Sequence, residues 1–214
     1  MAAYEDFLEY VAPAVPGAAE PLMLRAIKDA CIDFCVESQF FQQTLEPIPS
    51  IANIADYVIE TPTDTKVAMI LKAWYDSQEI TDIVQSEATV NTLTAQFGTA
   101  PESGTPKRIV YTGSDSLLLD PVPDTSAKDL VLVAALKPSR ASTTVFDQLY
   151  EDYAETIGEG ALSKIMDIKS TVFYDPNEAM LKDKKFKAGV NKARLRAHSG
   201  NLGKKQLRVR YRII

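Results

Sequence analysis

Nucleophilic catalysis needs a base beside a serine, cysteine or threonine. This sequence offers one histidine for that role, His198, in a stretch rich in lysine and arginine. That setting argues against a catalytic histidine. Two carboxylate pairs, Glu151 with Asp152 and Asp120 with Asp124, have the residue types for general acid–base work. On a surface such pairs are usually solvated charge. Cys31 and Cys35 are the two cysteines. On a helix their Cβ atoms lie roughly 5–6 Å apart, whereas a disulfide wants about 3.8 Å. They read as reduced thiols on a core face, and a metal would need more ligands near them. Neither a GxxxxGK[ST] loop nor a GxGxxG after a strand is present. Gly158-Glu159-Gly160 reads as a helix break. The expectation is a protein with no catalytic, cofactor or metal site, and so no enzyme.

One chemical signal stands out. Residues 181 to 214 hold twelve lysines and arginines against one acid, Asp183, a local charge of +11. The remaining 180 residues hold eleven bases against 28 acids, a charge of −17, and the chain totals −6. An acidic body carries a basic end. The end has three readings. It binds phosphate backbones without regard to sequence, it is a solvated helix face over 182 to 196, or its last residues grip an acidic partner. In the arm, Leu207, Val209, Tyr211 and Ile213 alternate with Arg208, Arg210 and Arg212, following Lys204 and Lys205 and ending at Ile214. A nucleic-acid tail has no need of an apolar residue at every second position. The alternation favours partner docking.

The elements that must position this arm can be read from periodicity. Leu24, Ile27, Cys31, Phe34 and Cys35 line one face of a helix over 21–38, with Pro21 tolerated in its first turn. Residues 4–12 predict a short helix with Tyr4, Phe7, Leu8 and Val11 on one face, broken at Val15-Pro16-Gly17. The segments 40–48 and 56–60 read as strands. In TKVAMILKAW, Val67, Met69, Leu71 and Ala73 alternate with Lys66, Ala68, Ile70 and Lys72; both sets hold apolar residues, so part of this strand is expected to be covered on both faces. A turn at Asp76-Ser77 and a return strand over 78–80 follow. Residues 86–97 predict a helix that Ser86 could cap. Strands resume at 107–112 and 115–119 around a turn at Gly113-Ser114, and 129–137 reads as a central strand. Six or seven strands, paired antiparallel, fill the β region 40–137. Helices follow over 143–168, capped by Ser142 or Thr143 and interrupted at the two glycines, and over 176–198 from Asp175-Pro176. The expected class is α+β: a helical bundle from the N- and C-terminal segments packed with an antiparallel sheet or small sandwich. It would form one domain over 1–200, with an extended arm over 201–214.

The chain is long enough for one good core, and its 46% hydrophobic content is ordinary. No apolar run approaches the ~20 residues of a membrane span. The start, MAAYEDFLEY, lacks the basic and apolar regions of a secretory signal. A soluble protein assembled in the cytoplasm, with no membrane partner, is expected.

This order of elements, with the phrases PGAAEPLMLRAIKDACIDFC, AWYD, FDQLYEDYAETIGEGALSKI and DPNEAMLKDKKFKAGVNKARLRA, resembles head-to-tail connector adaptor proteins of tailed bacteriophages, including the podovirus-type tail tubular protein A group. The resemblance spans roughly residues 4 to 200 and is one of pattern and helix phrasing, with no catalytic motif. It implies a virion ring, typically of twelve copies, beneath the portal protein. Such a ring continues the channel for double-stranded DNA without binding it specifically, and offers a platform to the tail nozzle or tail tube protein. It also implies portal docking by a C-terminal extension, here Lys204 to Ile214. An acidic wall would let duplex DNA slide. Rival expectations are another tail-completion or baseplate protein, and a DNA-binding accessory protein using the basic end.

Overall fold

The structure is a computed structural model that describes residues 1–85, 102–111, 113, 115–169 and 171–199. The helix expected over 86–97 and the arm over 204–214 lie outside the described residues.

The N-terminal segment begins with a two-residue strand, β1 (Ala2–Ala3). A 3-10 turn over Tyr4–Phe7, the short helix α1 (Leu8–Val11) and a second 3-10 turn over Ala12–Ala14 follow. The expected helix over 4–12 is therefore a composite. Its inner face is as expected, with Tyr4, Phe7 and Val11 buried and Leu8 half-buried. Gly17, at φ +87°, turns the chain in a conformation that side-chain-bearing residues resist.

Helix α2 (Glu20–Ser38) opens with Pro21 in its first turn. It buries more than the stripe read from its sequence: Met23, Ala26, Ala30 and Ile32 join Ile27, Cys31, Phe34 and Cys35. The reason is its position, packed against the C-terminal helices and against the sheet. A helix with neighbours on several sides needs more than one apolar face.

Two larger sheets and a two-stranded pair, β8 with β11, make up the β region. The strands are β2 (Gln42–Thr44), β3 (Ile48–Pro49), β4 (Asp56–Val58), β5 (Thr65–Tyr75), β6 (Gln78–Ile80), β7 (Asp82–Val84), β8 (Ser103–Gly104), β9 (Arg108–Tyr111), β10 (Ser116–Asp120), β11 (Val122–Pro123) and β12 (Asp129–Pro138). The first sheet runs β2-β12-β5-β6, with β3 also on β12. The long apolar strand is central, as expected. The second sheet runs β4-β10-β9-β7. The Asp76-Ser77 turn has φ values of +48° and +68°, the pair of positive values that a tight hairpin turn requires.

Two expectations fail here. The described residues between Gln42 and Pro138 form eleven strands, where six or seven were expected. Pairing is mixed, because β7 runs parallel to β9 and β11 parallel to β8. Strand β5 draws buried and half-buried residues from both of its alternating sets, as expected of a strand covered in part on both faces. Val67, Ile70, Ala73 and Tyr75 are buried, while Met69 is exposed. Pairing with β12 steps from Lys72 to Ile70 and from Met69 to Val67. Each step leaves one extra residue on β5, and each such bulge moves the inward face by one position.

A short strand, β13 (Thr144–Val145), pairs with β1 and leads into α3 (Asp147–Met166). Neither Ser142 nor Thr143 caps α3. Phe146 occupies the N-cap position with no side-chain bond, while Ser142 is committed elsewhere. Nor do the glycines interrupt it. A Cβ at Gly158 would lie 2.8 Å from the Cβ of Tyr10, and one at Gly160 would lie 2.6 Å from the Phe186 ring. They are points of close approach for α1 and for α4 (Pro176–Ser199). Asp175 starts α4 as expected, its Oδ1 accepting from the backbone N–H of Asn177 and Glu178 at 3.0 and 3.1 Å.

The class is α+β. One cluster of buried apolar residues, from Ala2 to Ala193, draws on the N-terminal segment, α2, both sheets, α3 and α4. At the join between the sheets, the Tyr111 hydroxyl donates to the carbonyl oxygen of Val67.

Candidate docking surface

The residues first considered for chemistry are held apart. Cys31 and Cys35 are free, fully buried thiols on α2. Burial pushes Cys35 up to about 12 and, with a smaller contribution from Cys35, pushes Cys31 well above the usual thiol range. Such thiols stay protonated and do not act as nucleophiles. His198 is exposed near the end of α4. Glu151 and Asp152 lie exposed on α3, and Asp152 pairs with Arg196 at 2.9 Å. Asp120 shares Arg108 with Asp82. Among the described residues, no three His, Cys, Asp or Glu side chains gather as a metal site.

One polar cluster went unnoticed in the sequence. The Ser142 hydroxyl donates to Ser139 O at 2.8 Å, so the buried Tyr4 hydroxyl donates to Ser142 Oγ, also at 2.8 Å. Lys28 Nζ donates to Ser142 O at 2.7 Å and lies 5.0 Å from the centre of the Tyr4 ring. Burial, more than the Ser142 bond can offset, pushes the Tyr4 hydroxyl up to about 12. The segment at Ser139–Ser142 is pinned there to two others more than a hundred residues before it, at Tyr4 and Lys28. No local pattern marks such a junction in advance.

The basic end divides in two. On α4, Lys182 meets Glu159 at 3.0 Å and Glu178 at 3.7 Å, and Lys185 meets Glu159 at 3.4 Å. Lys187 pairs with Asp183 at 2.7 Å, Arg194 donates to Glu37 O, and Arg196 pairs with Asp152. Five of the seven helix cations between 182 and 196 therefore have partners, most of them on α3 or α2. Exposed pairs of this kind contribute little, but the Lys182–Glu159 pair is only about 15% exposed. Six of the seven cations over 182–196 stay exposed, so this stretch is a solvated helix face whose charges are mostly paired to the body. The remaining candidates, Lys204, Lys205, Leu207, Arg208, Val209, Arg210, Tyr211, Arg212, Ile213 and Ile214, lie outside the described residues.

Two exposed apolar features accompany this helix. Ile168, Val172, Tyr174, Met180 and Leu181 crowd the connection between α3 and α4. On the far sheet, Ile51, Ile54 and Val58 are exposed at its outer edge, Val58 at 71%. No helix among the described residues is long and apolar enough to cross a membrane. Comparison of the chain with protein-family models gave no match, and comparison with curated proteins gave none either.

Proposed function

We propose that the chain is a structural virion protein. It forms a ring between the portal and the tail and continues the DNA channel. The observation that carries this reading is the opposition of charge along one chain, +11 over residues 181–214 against −17 for the rest. The α4 cations are largely engaged by α3, α2 and α4 itself. That leaves Lys204, Lys205, Arg208, Arg210 and Arg212, set among alternating apolar residues, as the cationic element available for a neighbour. The α+β body agrees with the resemblance to phage connector adaptors, which supplies the portal as the arm's partner and twelve as the copy number. Repetition around a ring would multiply a modest arm contact into a firm one. The distal partner is the tail nozzle or tail tube protein.

The test is to mix full-length chain, and chain lacking residues 204–214, with portal rings and image both by negative-stain microscopy. The full chain should cap the portal and the truncated chain should remain free while still folded. A truncated chain that seats normally would move docking elsewhere. The five arm cations also favour a second reading, a DNA-binding accessory protein, which salt dependence separates from the first.

A further inference from the structure

Strand β4 closes one end of the second sheet, with β10 on one side and no strand among the described residues on the other. Ile59 N donates to Asp115 O and Leu119 N donates to Ala55 O. In an antiparallel ladder these bonds alternate along the strand. Ala55, Tyr57 and Ile59 therefore address β10, and the backbone groups of Asp56, Val58 and Glu60 point outward. The side chains alternate in step. Tyr57 and Ile59 are buried, while Ile54, Asp56, Val58 and Glu60 are exposed. The outer face thus reads apolar, acid, apolar, acid. Among the described residues neither carboxylate takes part in an ion pair or hydrogen bond. The edge is also held in shape. The Tyr57 hydroxyl donates toward Ile51 O and Ile54 O and accepts from Ile51 N, and Asn53 N donates to Pro123 O.

The edges of the two larger sheets at β2, β7 and β6 do not match this. Strand β2 presents two glutamines and a threonine. Asp82 of β7 already holds Arg108. Beside β6, the Gln85 amide pairs with both backbone groups of Ile70.

We propose that the outer edge of β4 is the acceptor for residues 204–214 of a second copy, which adds as a strand. Three features choose that occupant. Fifteen residues, 200–214, continue from the end of α4. Eleven extended residues reach about 36 Å, against about 17 Å for the edge from Asp56 to Glu60. The arm has the period of a strand, and its Arg208, Arg210 and Arg212 fall on one face. That face opposes Asp56 and Glu60, with arginine stems over Val58. Leu207, Val209 and Tyr211 then lie on the side of Tyr57 and Ile59. The added backbone bonds satisfy the outward groups of the edge. The proposal rests on the reading of the arm as a docking strand but does not need the portal as its partner. In a given copy the two destinations exclude each other.

The test uses the full-length chain alone. Two differently sized tagged versions, one carrying Val58→Cys and one carrying Arg210→Cys, are mixed and oxidised. A disulfide-linked heterodimer is expected. In parallel, sedimentation of Asp56→Lys/Glu60→Lys should show copy-to-copy association weakened at least about tenfold, a change of about 1.4 kcal/mol. Mixing that variant with an Arg208→Glu/Arg210→Glu/Arg212→Glu chain should restore association. Circular dichroism guards against misfolding, and Val58→Cys, an exposed position, keeps the test open if the lysine variant unfolds. The proposal is overturned by no heterodimer at all, or by unchanged association of the lysine variant. Portal capture separates the two readings. If copies never link yet still cap the portal, the edge proposal alone falls. If they link but ignore the portal, the connector reading alone falls.

Discussion

Cys31 and Cys35 sit one turn apart on α2 with no accessible surface, and their burial has a consequence for pH. Cys35 rises from 9.0 to about 12, Cys31 also rises, and Tyr4 rises from 10.0 to about 12. In all three the folded state holds the proton more tightly than the unfolded chain. Their stabilising contribution is complete below the unfolded values and is lost as pH climbs through the folded ones. The urea midpoint should therefore be flat below about pH 9 and fall steadily towards pH 12. A midpoint that stays level to pH 11 would contradict the burial of these groups. Gly160 tests packing in the same way. Alanine is the better helix former by about 1 kcal/mol, but its methyl would meet the Phe186 ring at 2.6 Å. Overpacking costs about 1–3 kcal/mol, so Gly160→Ala should lower stability by up to about 2 kcal/mol net in urea unfolding. A stabilised variant would mean that α4 gives way freely.

The bulged strand β5 carries the element-scale argument. Its inward face is kept by two extra residues, and at Ile70, beside one of them, the amide of Gln85 stands in for a neighbouring strand. Gln85 Nε2 donates to Ile70 O at 2.8 Å and Oε1 accepts from Ile70 N at 2.9 Å. Two such bonds are worth about 1 kcal/mol each. Gln85→Ala should therefore cost about 1–2 kcal/mol and speed hydrogen exchange at the Ile70 amide more than at Ala73, which stays paired with Ile80. Equal protection at both sites would show that water replaces the side chain without loss. The same strand shows where sequence reading stops. Helix α2, strand β12 and helix α4 were legible because a long apolar or capped run carries its own period. The bulges were not, because they depend on how β5 registers against β12, a partner more than fifty residues away. Gly158 and Gly160 looked like breakers for a related reason: local propensity cannot reveal that Tyr10 and Phe186 need the missing Cβ. Ser142 looked like a cap until Tyr4, 138 residues distant, claimed its hydroxyl. The apolar–acid alternation from Ile54 to Glu60 could have been read, but only the sheet order makes it an edge.

At the scale of the whole molecule, charge decides what the protein can hold. A body of −17 repels a duplex over any surface it lines, so attraction to DNA falls to the basic end. Within that end, a phosphate approaching α4 would have to displace carboxylates already in place, Glu159 and Asp152 among them. The five arm cations remain, together with Lys184 and Lys192 at exposed positions. Full-length chain should therefore bind duplex DNA weakly at 50 mM salt, and that binding should collapse by 200 mM. A protein with ~6–10 phosphate contacts loses about a thousandfold or more over this range. Docking of the arm on a protein partner should survive the same change, because its apolar residues leave water whatever the ionic strength. Measured side by side, portal capture that holds while DNA affinity vanishes supports the connector reading. If both fall together along one salt slope, the arm is an electrostatic tail and the accessory DNA-binding reading takes its place.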